Sequence, residues 1–109
     1  MKEIKAYIRE AMRDAVVDAL EETPGIPGVT VSAVEAYGHP SEGEDFGATR
    51  MVRLEVDVAD ALAPTVVATI LERGCTGDGH PGDGKVFVSE LAEAYRVSDG
   101  ASGEGVLGG

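Results

Sequence analysis

The sequence has no tryptophan, a single cysteine and only five aromatic residues, three Tyr and two Phe. One Cys cannot close an intramolecular disulfide, so any stable fold has to rest on apolar burial and hydrogen bonding. Basic residues are scarce too: nine Lys and Arg stand against twenty Asp and Glu, a formal net charge of −11. That imbalance argues against nucleic-acid binding and against adhesion to an anionic membrane surface. No apolar run approaches the roughly 18 residues of a membrane span, and no signal-peptide pattern opens the chain, so a cytoplasmic location without membrane insertion is expected. What is present is ordinary for one globular domain: 109 residues, 43% hydrophobic and a mean hydropathy of −0.02. Roughly two-thirds of an unfolded chain of this length can be buried on folding.

The hydrophobic pattern divides the chain into short elements. Ile4, Ala6 and Ile8 alternate with Glu3, Lys5 and Tyr7, the period of a half-buried strand over Lys2–Arg9. From Glu10 to Glu22 the period lengthens to a helical stripe of Met12, Val16, Ala19 and Leu20, closed by Thr23-Pro24-Gly25-Ile26-Pro27-Gly28. Val29–Tyr37 is β-branched and reads as a second strand, and Gly38–Thr49 reads as an exposed loop. Val52, Leu54, Val56 and Val58 alternate with Arg53, Glu55 and Asp57 as a third strand. Asp60 is placed to cap a second helix, whose stripe is Leu62, Val66, Val67, Ile70 and Leu71, with Gly74 as its C-cap. Cys75–Lys85 is a glycine-rich loop, and Val86–Val97 contains the last strand, although Glu90–Ala94 taken alone favours helix. The glycine-rich tail, residues 99–109, is expected to be flexible beyond a domain of residues 1–98. The order βαββαβ predicts an α+β, ferredoxin-like fold, one antiparallel sheet with two helices on one face.

The densest chemical pattern is Thr76-Gly77-Asp78-Gly79-His80-Pro81-Gly82-Asp83-Gly84-Lys85. Gly79 to Lys85 matches the G-x-x-x-x-G-K part of a phosphate loop, but Val86 occupies the Ser/Thr position, and a helix precedes where a strand should. A P-loop nucleotidase is therefore excluded. Glycine-rich backbone can still turn its N–H groups on an anion, with Lys85 as a point charge. The competing reading is a plain flexible turn.

Thr76-Gly77 and Gly82-Asp83-Gly84-Lys85-Val86-Phe87-Val88 resemble the B-loop and following strand of the PII nitrogen-regulatory signal-transduction family. Met1–Ile8 and Gly25-Ile26-Pro27-Gly28-Val29-Thr30-Val31 extend the resemblance over about residues 1–100. The resemblance implies a homotrimer that binds an adenine nucleotide (AMP, ADP, ATP or cyclic AMP, with or without bicarbonate) in clefts between subunits. The nucleotide is a regulatory ligand, with no prosthetic group. It also implies a partner of the membrane-transporter class docked through a T-loop at 38–49, and a regulator rather than an enzyme, slow nucleotide hydrolysis aside. Carried across by resemblance, the nucleotide-binding residues are Thr30, Gly38, His39, Arg50, Thr76, Gly82, Asp83, Gly84, Lys85 and Arg96, with Arg96 on the last strand and the B-loop at 75–85.

Several positions depart from the family pattern. His39 and Pro40 stand where the family has Arg and Gln, no Tyr lies between Gly38 and Thr49, Ser98 replaces a second basic residue, and Asp78–Pro81 carries two extra residues. Loss of the Gln argues against 2-oxoglutarate sensing, and the missing loop Tyr rules out its uridylylation. These features point to a divergent PII-like member with a short T-loop. Two rivals are a trimeric metal-tolerance protein using His39, His80 and Cys75, and a small phosphate-ester enzyme. Neither has the ligand spacing or nucleophile–base pairing that its chemistry requires.

Overall fold

The computed structural model describes residues 1–38 and 47–108. Four strands, β1 (Lys2–Arg9), β2 (Thr30–Gly38), β3 (Gly47–Val58) and β4 (Gly84–Glu90), form one antiparallel sheet in the order β2-β3-β1-β4. Two helices, α1 (Arg13–Glu21) and α2 (Ala63–Gly74), cover one face. This is the ferredoxin-like plan expected from the element order.

The alternation in β1 and β3 decides which face is covered. Ile4, Ala6 and Ile8 pair across the ladder with Val56, Leu54 and Val52, and all six are buried under Val16 and Leu20 of α1 and Val66 and Ile70 of α2. Gly74 ends α2 because of packing rather than left-handed geometry: a Cβ there would meet Ile8 Cγ2 at 3.3 Å. The next residue, Cys75, is already extended.

Each helix opens with a 3-10 turn, Glu10–Met12 before α1 and Asp60–Leu62 before α2. Asp60 does not cap its helix as expected. Its carboxylate instead accepts from the N-terminal ammonium at 2.8 Å, which holds its pKa below the usual Asp value.

Three elements differ from the sequence expectation. β3 begins at Gly47, five residues before the apolar alternation does, because Gly38, Tyr37 and Ala36 pair with Gly47, Ala48 and Thr49. Backbone pairing extends this hairpin beyond the shelter of the helices, where no apolar period is needed. β4 stops at Glu90, so Arg96 lies beyond the last strand, in a turn closed by the Tyr95–Ser102 bridge. The tail takes a defined path: Glu104–Gly108 forms a 3-10 helix, and Leu107 lies beside Ile26 and Pro27. The remainder of the expected 38–49 loop, residues 39–46, lies outside the described residues.

The face turned away from the helices carries Glu3, Lys5, Tyr7 and Arg9 of β1 opposite Asp57, Glu55, Arg53 and Met51 of β3. Glu3 and Asp57 are like charges directly across the ladder, an unfavourable pairing. Partial burial first, then the adjacent Glu3, raise the Asp57 pKa. A raised folded value means that ionised Asp57 costs stability above the ordinary value of 3.8. Asp57→Asn should therefore raise the Tm at pH 7, and the gain should vanish in thermal melts as the pH falls to about 4. In the core, Leu54→Ala should cost about 2–5 kcal/mol in urea unfolding, since Leu54 is fully buried at the centre of the sheet.

Candidate functional site

The connection from α2 to β4 is organised by one carboxylate. Asp83 Oδ1 accepts from the Thr76 hydroxyl at 2.5 Å and from Arg9 Nε at 2.9 Å. Its Oδ2 accepts from the backbone N–H of Thr76 and of His80, both at 3.0 Å. His80 returns the contact through Nδ1, which lies 2.9 Å from the Thr76 carbonyl and serves as donor there. The Thr76 hydroxyl, then the backbone N–H groups of Thr76 and His80, hold the Asp83 carboxyl far below the usual range, with Arg9 contributing further.

The loop so braced delivers Gly84 onto β1. Gly84 has φ +120°, and a Cβ there would fall 1.7 Å from the Tyr7 carbonyl oxygen, so only glycine allows the strand to start in this register. Gly82 is packed less tightly, against a side-chain end: a Cβ there would meet Arg9 Nη2 at 2.8 Å.

In front of this loop, on the sheet face free of helices, lies an open cavity of about 340 Å³. Its wall is apolar, built by Tyr7, Phe87 and Met51, with Tyr7 and Phe87 in an edge-to-face contact at 6.3 Å. Arg9 and Lys85 also line it, and among the described residues no Asp or Glu does. In a chain carrying twenty acids this is a local reversal of the overall charge, suited to an anion with an apolar body.

The structure distributes the ten residues named from sequence over different places. Gly38, Gly82, Gly84 and Lys85 line the cavity. Asp83 and Thr76 stand behind it, and the Asp83 carboxylate is engaged within the loop. Arg50 alternates onto the other face of β3, opposite Glu35, while its neighbour Met51 lines the cavity. Thr30 sits on β2 at one edge of the sheet, three strands and about 14 Å across from β4. Arg96 lies past the far end of β4, held by Asp99 at 2.9 Å. His39 falls outside the described residues.

Arg9, Tyr7 and Phe87 were not singled out in the sequence. Strand alternation puts Tyr7 and Arg9 on the face away from the core, but only the β1–β4 register shows that they meet Lys85 and Phe87. Among the described residues no group of three His, Cys, Asp or Glu side chains converges as a metal site. His80 is committed to Thr76, and Cys75 is a partly buried free thiol.

The family model of nitrogen regulatory protein P-II matches residues 1–101. The chain belongs to the P-II family. It is 37% identical to nitrogen regulatory protein P-II 2 of Methanothermobacter thermautotrophicus, over 95% of each chain. It is 34% identical to nitrogen regulatory protein P-II 1 of Escherichia coli K12, over 98% of this chain and all of that one. Against nitrogen regulatory protein P-II of Bradyrhizobium diazoefficiens the identity is 33%, over 94% of this chain and 96% of that protein. Among the described residues no helix of this P-II member is long and apolar enough to cross a membrane.

The Asp83 network makes a pH-dependent prediction. A lowered folded pKa gives stability that is complete above the ordinary value of 3.8 and is lost as the pH falls through the folded value. Asp83→Asn should melt at a lower temperature than the native chain at pH 7, and in thermal melts the gap should narrow below pH 3.8.

Proposed function

We propose that this P-II member is a regulatory nucleotide sensor that binds an adenine nucleotide with its phosphates at the Gly82–Lys85 loop. One observation carries the reading: a cavity with an apolar, partly aromatic wall and two cations, free of carboxylates among the described residues. An adenine base offers a flat apolar surface, and its phosphates need charge-assisted donors. The family supports a regulator rather than a catalyst, and the cytoplasm is the natural compartment for sensing a nucleotide.

The placement of the remaining candidates bears on assembly. Thr30 opens β2 beside Glu55 and does not line the cavity that holds Lys85, although the other end of β2 does, through Ala36, Tyr37 and Gly38. Copies arranged head to tail, the β2 edge of one beside the β4 edge of the next, would bring Thr30 and Lys85 together. A heterologous contact of this kind closes into a ring and shelters both edges. We assign a homotrimer with three such clefts. In this reading the 38–49 segment, rooted at the cavity by Gly38, signals occupancy to a protein partner of the transporter class. It can do so only if its contacts differ with and without ligand.

Isothermal titration calorimetry of the native chain against AMP, ADP, ATP and cyclic AMP, each with and without bicarbonate, tests the ligand. Micromolar affinity for at least one nucleotide is expected, together with at least a tenfold loss in Lys85→Ala, whose exposed side chain leaves the fold intact. No binding of any nucleotide would overturn the reading. Sedimentation equilibrium should give three times the 11.3 kDa chain mass.

A further inference from the structure

We infer that Arg9 is an anion-binding residue of this site, clamping the phosphate end of the ligand together with Lys85. The inference rests on the cavity being the nucleotide site proposed above, and adds to it a residue outside the glycine-rich loop.

Arg9 ends β1, and the turn of chain direction at Glu10 leaves its side chain at the corner where the open sheet face meets the loop. Three observations fix what the guanidinium does there. Nε donates to Asp83 Oδ1 at 2.9 Å, so one edge of the fork is held by a carboxylate that is itself braced by the loop. Nη2 lies against Gly82, close enough that a Cβ at that position would meet it at 2.8 Å. The same side chain lines the cavity, as Lys85 does, and Lys85 has no ion pair among the described residues.

A guanidinium has five N–H donors in a rigid plane. The single Nε contact to Asp83 fixes that plane without using the Nη donors, and no other side chain among the described residues accepts from them. Asp83 thus serves as a positioning residue, and the preset orientation lowers the ordering cost of binding. The glycine at 82 has a second use in this arrangement: it lets the arginine end and the loop backbone approach the same point. A lysine at position 9 would keep the charge but could not hold Asp83 through Nε and present further donors at once.

The test is calorimetric titration of adenosine, ADP and inorganic pyrophosphate into the native chain, Arg9→Gln and Arg9→Lys, with thermal melts of each protein. Arg9→Gln should lose at least tenfold in affinity for ADP and pyrophosphate while adenosine binding stays within twofold. Arg9→Lys should fall between. Equal losses for adenosine and ADP would show that Arg9 only shapes the loop, and would overturn the inference. So would ADP affinity unchanged in both variants. If Arg9→Gln does not fold, Arg9→Lys decides by the same comparison, a severalfold loss for ADP alone being expected. Pyrophosphate binding that depends on Arg9, without binding of any nucleotide, would overturn the nucleotide reading and leave the clamp standing. Binding of neither would overturn both.

Discussion

The Asp83 carboxylate is the interaction on which the site depends. It accepts from four donors on three separate parts of the chain: Arg9 at the end of β1, Thr76 just after α2, and His80 in the loop itself. A loop of this composition, with glycine at 77, 79, 82 and 84, loses much conformational freedom when it is ordered. Charge-assisted bonds to a carboxylate are the strongest polar contacts available to oppose that loss without a disulfide or a metal. The result is a glycine-rich segment with a defined path, which starts β4 directly against the Tyr7 carbonyl. Lys85 and Phe87 are placed by that start, two residues apart on one face of β4.

The fold divides its labour between the two faces of one sheet. The helix side is closed by aliphatic packing, with no buried charged side chain among the described residues. The other side is left half-finished, with Glu3 set against Asp57, the buried Asp57 Oδ1 without a hydrogen-bond partner among the described residues, Tyr7 half-buried and Phe87 exposed. That face carries the cavity described above. The assembly proposed above would give such a face further groups to pack against. Covering the face would desolvate Asp57 further and raise its pKa more.

Much of this was legible in the sequence because burial on one side imposes a period. Ile4 to Ile8 and Val52 to Val58 show period two for that reason, and Val66 and Ile70 show a helical one. The parts that were not legible are those where no burial acts. Ala48, Thr49 and Arg50 form strand through backbone pairing alone, and no side-chain pattern marks it. Glu90–Ala94 has helical composition but follows β4 without room to turn, Leu91 N–H being tied to the Met1 carbonyl. The site followed the same rule. The loop glycines and Lys85 stood out by composition, whereas the placement of Arg50 depended on parity, and a shift of one residue reverses the face. Arg9 was hidden because its role is defined by a contact 74 positions away in the chain.

The acidity of the chain sharpens the case for a local clamp. With a net charge of −11, the long-range field repels any nucleotide that approaches. At physiological ionic strength, however, charges on exposed surfaces are screened beyond about 8 Å. On the nucleotide reading proposed above, capture would then be decided by the charged groups that line the cavity, Arg9 and Lys85. A diffuse basic surface would bind polyanions indiscriminately, whereas two cations set in an otherwise acidic chain would, on that reading, hold a small anion and disfavour nucleic acid. Selectivity would then be a matter of geometry: a ligand would have to be small enough to enter the cavity and place its charge where Asp83 sets the Arg9 fork.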